Sequence, residues 1–192
     1  NQLRHPAYAK PELIATAPNQ VWSWDITKLK TFEKWTYLYL FVILDIFSRY
    51  VVGWLLAEQE TAALAQRLIE ETYEKQGVRP GQILLHSDRG PQMRALTTSQ
   101  LCTKLGMTQS FNRPYVSNDN PFSESQFKTL KYNPWFPGKF ANFDDGLSYG
   151  KFFFDWYNNA HHHSGLAYLT PSDVHHGRIE QVLRPRDEAL AF

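Results

Sequence analysis

One cysteine among 192 residues, Cys102, excludes an internal disulfide, so the fold must rest on packing. Set in a helical pattern without a basic neighbour, that thiol is expected to be buried and inert rather than nucleophilic. No apolar run is long enough to cross a bilayer. The longest, Tyr37 to Leu44, falls far short of the roughly 20 residues required, and its β-branched and aromatic content suits a buried strand. Charge of one sign is also scarce. Lys+Arg 20 against Asp+Glu 19 leaves a net charge of +1, which excludes a broadly basic nucleic-acid surface and confines any DNA contact to a local patch or to sequence elsewhere. The opening Asn1 to Gln20 lacks the basic-then-apolar order of a secretion signal. Starting on Asn rather than Met, residues 1–20 read as a leader or linker from a missing N-terminal region.

What is abundant is core-forming material: 43% apolar and 15% aromatic residues, enough for one substantial core. Three strand patterns come in quick succession, Val21 to Leu29, Trp35 to Asp45 and Tyr50 to Ala57, joined by short polar turns as in an antiparallel meander. Thr61 to Gln76 has helical spacing, with Thr61 as cap and Gly77 as stop. A short strand, Ile83 to Ser87, follows the Pro80-Gly81 turn, then a helix around Ser99 to Leu105 and a brief strand at Thr108 to Phe111. This order sets the fourth strand parallel to the first and predicts an α/β fold, a mixed sheet with helices on both faces.

The segment Asn112 to Pro121, full of Asn, Pro, Ser and Asp, reads as a mobile loop. Asn120 is placed to cap the next helix, with Pro121 at its first position and Glu124 in its first turn. Asn142-Phe143-Asp144-Asp145 offers caps for a helix running to about Asn159, and Thr170-Pro171-Ser172-Asp173 looks like another capped start. The charged residues at the end look frayed. The domain organisation expected is a core over 21–160 and a C-terminal extension with a short helix over 161–192.

Three acids bring the elements to one chemistry. Asp25 lies in the first strand, Asp88 closes the fourth, and Glu124 opens a helix; thirty-five residues separate Asp88 from Glu124. Neighbouring first and fourth strands would direct Asp25 and Asp88 to one spot, with Glu124 arriving from above. Converging carboxylates repel one another and bind protons more tightly unless a cation neutralises them, and magnesium or manganese prefers such oxygen donors. The plain alternative is that these are unrelated surface or capping acids among the nineteen in the chain.

The neighbours of these acids decide between the two. Trp24-Asp25-Ile26-Thr27, Leu44-Asp45-Ile46-Phe47-Ser48-Arg49, His86-Ser87-Asp88-Arg89-Gly90, Ser117-Asn118-Asp119-Asn120-Pro121 with Glu124, His163-Ser164-Gly165-Leu166 and Leu169-Thr170-Pro171 together span nearly the whole chain. In these blocks the sequence resembles the integrase-type catalytic core of bacterial insertion-sequence transposases. The resemblance implies a ribonuclease-H-like fold with a five-stranded sheet and a DDE triad of Asp25, Asp88 and Glu124 holding two magnesium (or manganese) ions. It implies cleavage at a transposon end followed by attack of the freed 3′ hydroxyl on target DNA. DNA would be the partner, in a homo-oligomeric complex within the bacterial cytoplasm, associated with the nucleoid and with no membrane. A DNA-binding module that has lost turnover, or a nuclease that hydrolyses without joining, are the competing functions.

Lys128 and Lys131 follow Glu124 by four and seven residues on one helical face, and the matching pattern in integrase-type cores implies DNA contact by both. Asn118 and Asn120 are candidates to orient DNA or Glu124, while an ordinary helix cap explains Asn120 equally well. Asp45 ends a strand where an aspartate bonds turn amides, so it is read as structural. His86-Ser87-Asp88 cannot form a hydrolytic triad, because adjacent strand residues alternate faces. His161-His162-His163 lacks the companion ligands of a zinc site.

Overall fold

The computed structural model describes residues 13–113 and 119–190. Three antiparallel strands, β1 (Val21–Lys30), β2 (Tyr37–Asp45) and β3 (Val51–Ala57), form the expected meander, with register running from Trp22↔Asp45 to Lys30↔Tyr37 between the first two. Helix α1 (Ala62–Gln76) carries the chain across to β4 (Leu84–Ser87), which lies parallel to β1, and β5 (Thr108–Phe111) lies parallel to β4. The sheet order is therefore β3-β2-β1-β4-β5.

Period-two alternation sends the two halves of each strand into two cores. On one face Trp22, Trp24, Phe41, Ile43 and Val52 pack with α1 and with Met93 and Cys102 of the short α2 (Pro91–Arg94) and α3 (Leu96–Lys104). On the other, Leu29, Leu38, Leu40, Val42 and Leu44 meet Phe127 and Leu130 of α4 (Pro121–Lys131) and Phe153, Phe154 and Tyr157 of α5 (Phe143–Asn159). Covered on both sides, β2 is buried almost throughout, which is why its sequence reads as a continuous apolar run. Cys102 is buried, and burial pushes its thiol up to about 11.

Helix ends follow local chemistry. Thr61 Oγ1 accepts the Leu64 amide and Gly77 closes α1 at φ 59, Asn142 Oδ1 accepts the Asp145 amide to start α5, and Thr170 and Asp173 form a reciprocal capping box for α6 (Pro171–His175). Differences from the expected elements have identifiable causes. Helix α3 begins earlier, at Leu96, because α2 leads into it; four residues are too few to show periodicity. The charged end expected to fray is instead helix α7 (Ile179–Leu190), which contains Pro185. Arg186 anchors it by donating to the carbonyls of Ala167 and Tyr168 at 3.1 and 3.0 Å.

Sheet pairing leaves one feature that matters for the site. β4 pairs with β1 only from Val21 to Trp24, while β1 runs on to Lys30. That edge is taken up again at Thr31, where the Phe140 amide donates to the Lys30 carbonyl and the Phe32 amide to the Phe140 carbonyl. Between Trp24 and Thr31, β1 has a strand neighbour on the β2 side only.

Candidate active site

The register Trp24↔Ser87 carries one step further to set Asp25 beside Asp88, just where the parallel pair ends. Asp25 shares its face of β1 with Ser23 and Thr27, and both neighbours are tied to α4. Ser23 Oγ lies 2.5 Å from Asn120 Oδ1 and 2.5 Å from Ser123 Oγ, while Lys131 Nζ donates to Thr27 Oγ1 at 2.7 Å. Eight helical residues from Ser123 to Lys131 rise about 12 Å, and four strand residues from Ser23 to Thr27 about 13 Å, so helix and strand run in step with a polar tie at each end. Between the ties lies Asp25, and Glu124 sits in the first turn of α4, next to Ser123.

Electrostatics link Asp25 to the other two acids. The Asp25 carboxyl is raised to about 7, first by burial, then by the charges of Asp88 and Glu124, against the lowering effects of the Ile26 amide and of Lys131. Burial in turn lowers the Lys131 ammonium, and Asp25 opposes that shift. The side chains nonetheless do not share one coordination sphere: among the described residues no three His, Cys, Asp or Glu side chains are gathered as a metal group. Asp25 Oδ1 accepts the Ile26 amide and Asp88 Oδ1 the Gly90 amide, each at 2.8 Å. The expected convergence of oxygens on one spot is thus corrected to charge coupling at Asp25, since the Asp25 and Asp88 oxygens are each drawn to a backbone amide close by in sequence. The donor set still fits a hard divalent ion, being all carboxylate oxygen with excess negative charge that Lys131 offsets only in part.

Asn120 departs from the cap and DNA-contact readings of the sequence. It makes no side-chain cap bond; at 2% exposure its Oδ1 faces Ser23 and its Nδ2 reaches the Trp24 carbonyl at 3.4 Å, so it fixes α4 to β1 and presents no surface to DNA. Asn118 lies outside the described residues. Lys128 is exposed in the last turn of α4, whereas Lys131 is engaged with Thr27. Sequence reasoning missed Ser23, Thr27 and Ser123. The signal was there: Ser23, Asp25 and Thr27 alternate as polar residues within an apolar strand.

The other polar residues stabilise the frame. Asp119, buried, takes a two-pronged contact from Arg113, Nε to Oδ2 and Nη2 to Oδ1 at 3.0 Å each, closing the ends of the loop whose middle, 114–118, lies outside the described residues. His86 is buried against Ser110, Asn112 and the Asp119 carbonyl, and burial lowers its basicity. Asp45 does accept turn amides, from Ser48 at 2.8 Å and from Asn19 at 2.7 Å. His161 stacks on Tyr157, His162 meets the Tyr168 carbonyl, and His163 Nδ1 accepts the Gly165 amide.

Two family models described as integrase core domain match, over residues 15–117 and 105–171. The transposase for insertion sequence element IS904 of Lactococcus lactis is 32% identical over 86% of this chain and 66% of its own length. Transposase InsF for insertion sequence IS3A of Escherichia coli is 34% identical over 62% of this chain and 41% of its own. The chain thus spans two thirds or less of these relatives. Among solved structures, the magnesium complex of the HTLV-2 integrase catalytic core domain, trimeric form, superposes with a TM-score of 0.63 at 18% identity, covering 84% of this chain and 99% of that one. A simian T-cell lymphotropic virus intasome chain also gives 0.63, at 23% identity, over 90% of this chain and 60% of that one. These likenesses and the β3-β2-β1-β4-β5 sheet make the fold ribonuclease-H-like. With more than half of its residues matched by one model, the chain belongs to the integrase core domain family, in the form found in insertion-sequence transposases.

Proposed function

We propose that this chain is the catalytic core of a transposase, a polynucleotidyl transferase that cuts DNA at an element's end and joins the freed 3′ hydroxyl to a target strand. The observation that carries this reading is the end of the parallel β1–β4 pair at Trp24↔Ser87, one residue before Asp25 and Asp88, with Glu124 on a helix pinned across β1 and all three acids close enough for Asp25 to be affected by the charges of the other two. Asp25, Asp88 and Glu124 would hold two magnesium or manganese ions. Such ions, when bound, activate the attacking oxygen and take up charge on the leaving one.

The protein's own part is alignment. Ser23, Asn120 and Ser123 hold the start of α4, and with it Glu124, against β1, and Lys131 holds the end. Lys128 and Lys131 bind DNA phosphates on the same helix face, joined by Asn118 through the motif it belongs to. The active complex contains more than one copy of the chain and acts on nucleoid DNA in the bacterial cytoplasm. No helix among the described residues is long and apolar enough to cross a membrane.

The test is a DNA substrate carrying the element's end, offered intact and precut to expose its 3′ hydroxyl. Magnesium-dependent cutting of the first and joining of the second are expected. Cutting without joining would assign a hydrolytic nuclease, and neither reaction, with DNA binding retained, an inactive module.

A further inference from the structure

The β1–β2 turn combines charge, exposed rings and backbone strain in a way the fold does not require. The Thr36 amide bonds to the Glu33 carbonyl, making Glu33 to Thr36 a four-residue turn whose third residue, Trp35, has φ 67. That position ordinarily belongs to Gly or Asn, because a side chain on a left-handed backbone is disfavoured. Here it carries a tryptophan that is 79% exposed, beside Phe32 at 69%. Lys34 lies 5.4 Å from the Trp35 ring, and Lys30, Lys34 and Lys139 line a cavity of about 270 Å³ with these two aromatics. Glu33 is the only acid in that lining. Lysines this close to one another and to bare rings suit a polyanion that also offers flat faces.

Position ties the turn to the acids. Lys30 ends the strand that carries Asp25 and Thr27, and Lys131 is bonded to Thr27, so lysines stand at the site and at the turn along one strand. They follow the stretch of β1 that β4 leaves open. The segment after α4 is fastened there by the Phe140 bonds to Lys30 and Phe32, and this brings Lys139 alongside.

On the reading that the acids cut DNA, we propose that the β1–β2 turn is a second DNA-contact site, in which Lys30, Lys34 and Lys139 hold phosphates of the flanking DNA and Trp35 packs on a nucleoside. Its distance from the reacting phosphate is set by the strand. From Asp25 to Thr31 is about 20 Å at 3.3 Å per residue, or about six nucleotide steps at 3.4 Å each. DNA that ends sooner on that side cannot reach the turn.

The test is DNA binding by fluorescence anisotropy in EDTA, so that no chemistry intervenes, with duplexes trimmed stepwise from either end around the cut position. With long flanks, Lys30→Ala together with Lys34→Ala should reduce the slope of log affinity against log salt by about 1.8, two phosphates at 0.9 each. Trp35→Asn should weaken binding about tenfold, as loss of one stacked base does, while its melting temperature stays the same or rises because Asn tolerates the turn backbone. Both defects should vanish once one flank is shorter than about six base pairs. An unchanged salt slope, full affinity in Trp35→Asn, or defects that persist at every flank length would overturn the proposal. Cleavage by the unaltered protein, assayed separately with magnesium, reports on the catalytic reading. Its absence leaves the binding result standing, and its presence does not rescue a failed one.

Discussion

Asn120→Ala tests whether the acid site depends on a buried polar tie. The wild-type side chain is 2% exposed, with Oδ1 2.5 Å from Ser23 Oγ and Nδ2 3.4 Å from the Trp24 carbonyl. Truncation removes both contacts and leaves the Trp24 carbonyl without that donor, whereas Ser23 retains Ser123 at 2.5 Å. A buried group deprived of its partner costs about 1–3 kcal/mol. Taking about 2 kcal/mol as the central value, the melting temperature should fall by about 4–8 °C for a chain of this size. Activity should fall much further than stability. Glu124 follows Asn120 by one helical turn, and a displacement of about 1 Å at a reacting centre costs on the order of 100-fold. Denaturant unfolding gives the first quantity and single-turnover cleavage, with the variant still folded at assay temperature, gives the second. Wild-type activity in a destabilised Asn120→Ala protein would refute the idea that this tie positions Glu124, and wild-type stability would refute the tie itself.

Asp88→Asn should abolish magnesium-dependent cleavage without lowering the melting temperature, because it removes a charge that repels Asp25; residual activity above one thousandth of wild type would count against Asp88 as a ligand. Lys131→Ala should lower both the salt slope of DNA binding and the stability, whereas Thr27→Val, which keeps the lysine charge but breaks the 2.7 Å bond, should cost about 1 kcal/mol and leave the slope intact; equal slopes in all three proteins would remove Lys131 from the DNA surface. His175, 4% exposed and between Ser48 Oγ and Gln76 Oε1, is lowered by burial to about 4 although Asp45 lies 3.9 Å away. At this group the unfolded chain binds the proton first, so His175 contributes a stability that is complete above about pH 6.5 and declines by a few kcal/mol toward pH 4, opposite in sign to the contribution of Asp25, whose carboxyl is raised to about 7. Denaturant titrations at pH 7.5 and 5 of the wild type and of His175→Gln isolate it, because the variant keeps the Asp25 contribution: it should lose less stability than the wild type, or gain more, on going to pH 5, and equal changes in the two proteins would mean that the Asp45 charge cancels the effect of burial. Gly53→Ala places a methyl group 2.0 Å from Thr72 Oγ1 and should cost about 1–3 kcal/mol, part of it recovered by adding Thr72→Ala; additive losses in the double variant would show that the clash is relieved elsewhere.

Much of the fold was legible because its determinants are local. The apolar run of β2, the Thr61 and Gly77 ends of α1 and the Thr170 capping box each declare themselves within a few residues. The acids were legible for a different reason, since Asp25, Asp88 and Glu124 lie in family motifs with characteristic neighbours. The sequence left Asn120 open between capping and orienting Glu124, because Asn before Pro at a helix start has the same local signature whether its side chain caps the helix or crosses to a strand 97 residues away. Helix α7 was missed because Pro185 argues against a helix, and its anchor, Arg186 on the Ala167 and Tyr168 carbonyls, comes from tertiary contact.

The two ties along α4 explain how one strand can present a carboxylate in an unfavourable setting. Burial and like charge make the ionised Asp25 costly, and a loosely held helix would relieve that cost by moving Glu124 away. Ser23 with Asn120 and Ser123 at one end, and Thr27 with Lys131 at the other, prevent this movement by hydrogen bonds that do not involve the acids. The repulsion therefore persists in the folded chain, and on the proposed function a bound cation would relieve it. On this argument the polar residues flanking Asp25 belong to the site as much as the carboxylates do: they hold the acids in place while Lys131 offsets their charge only in part, and the remainder is what a divalent ion would neutralise.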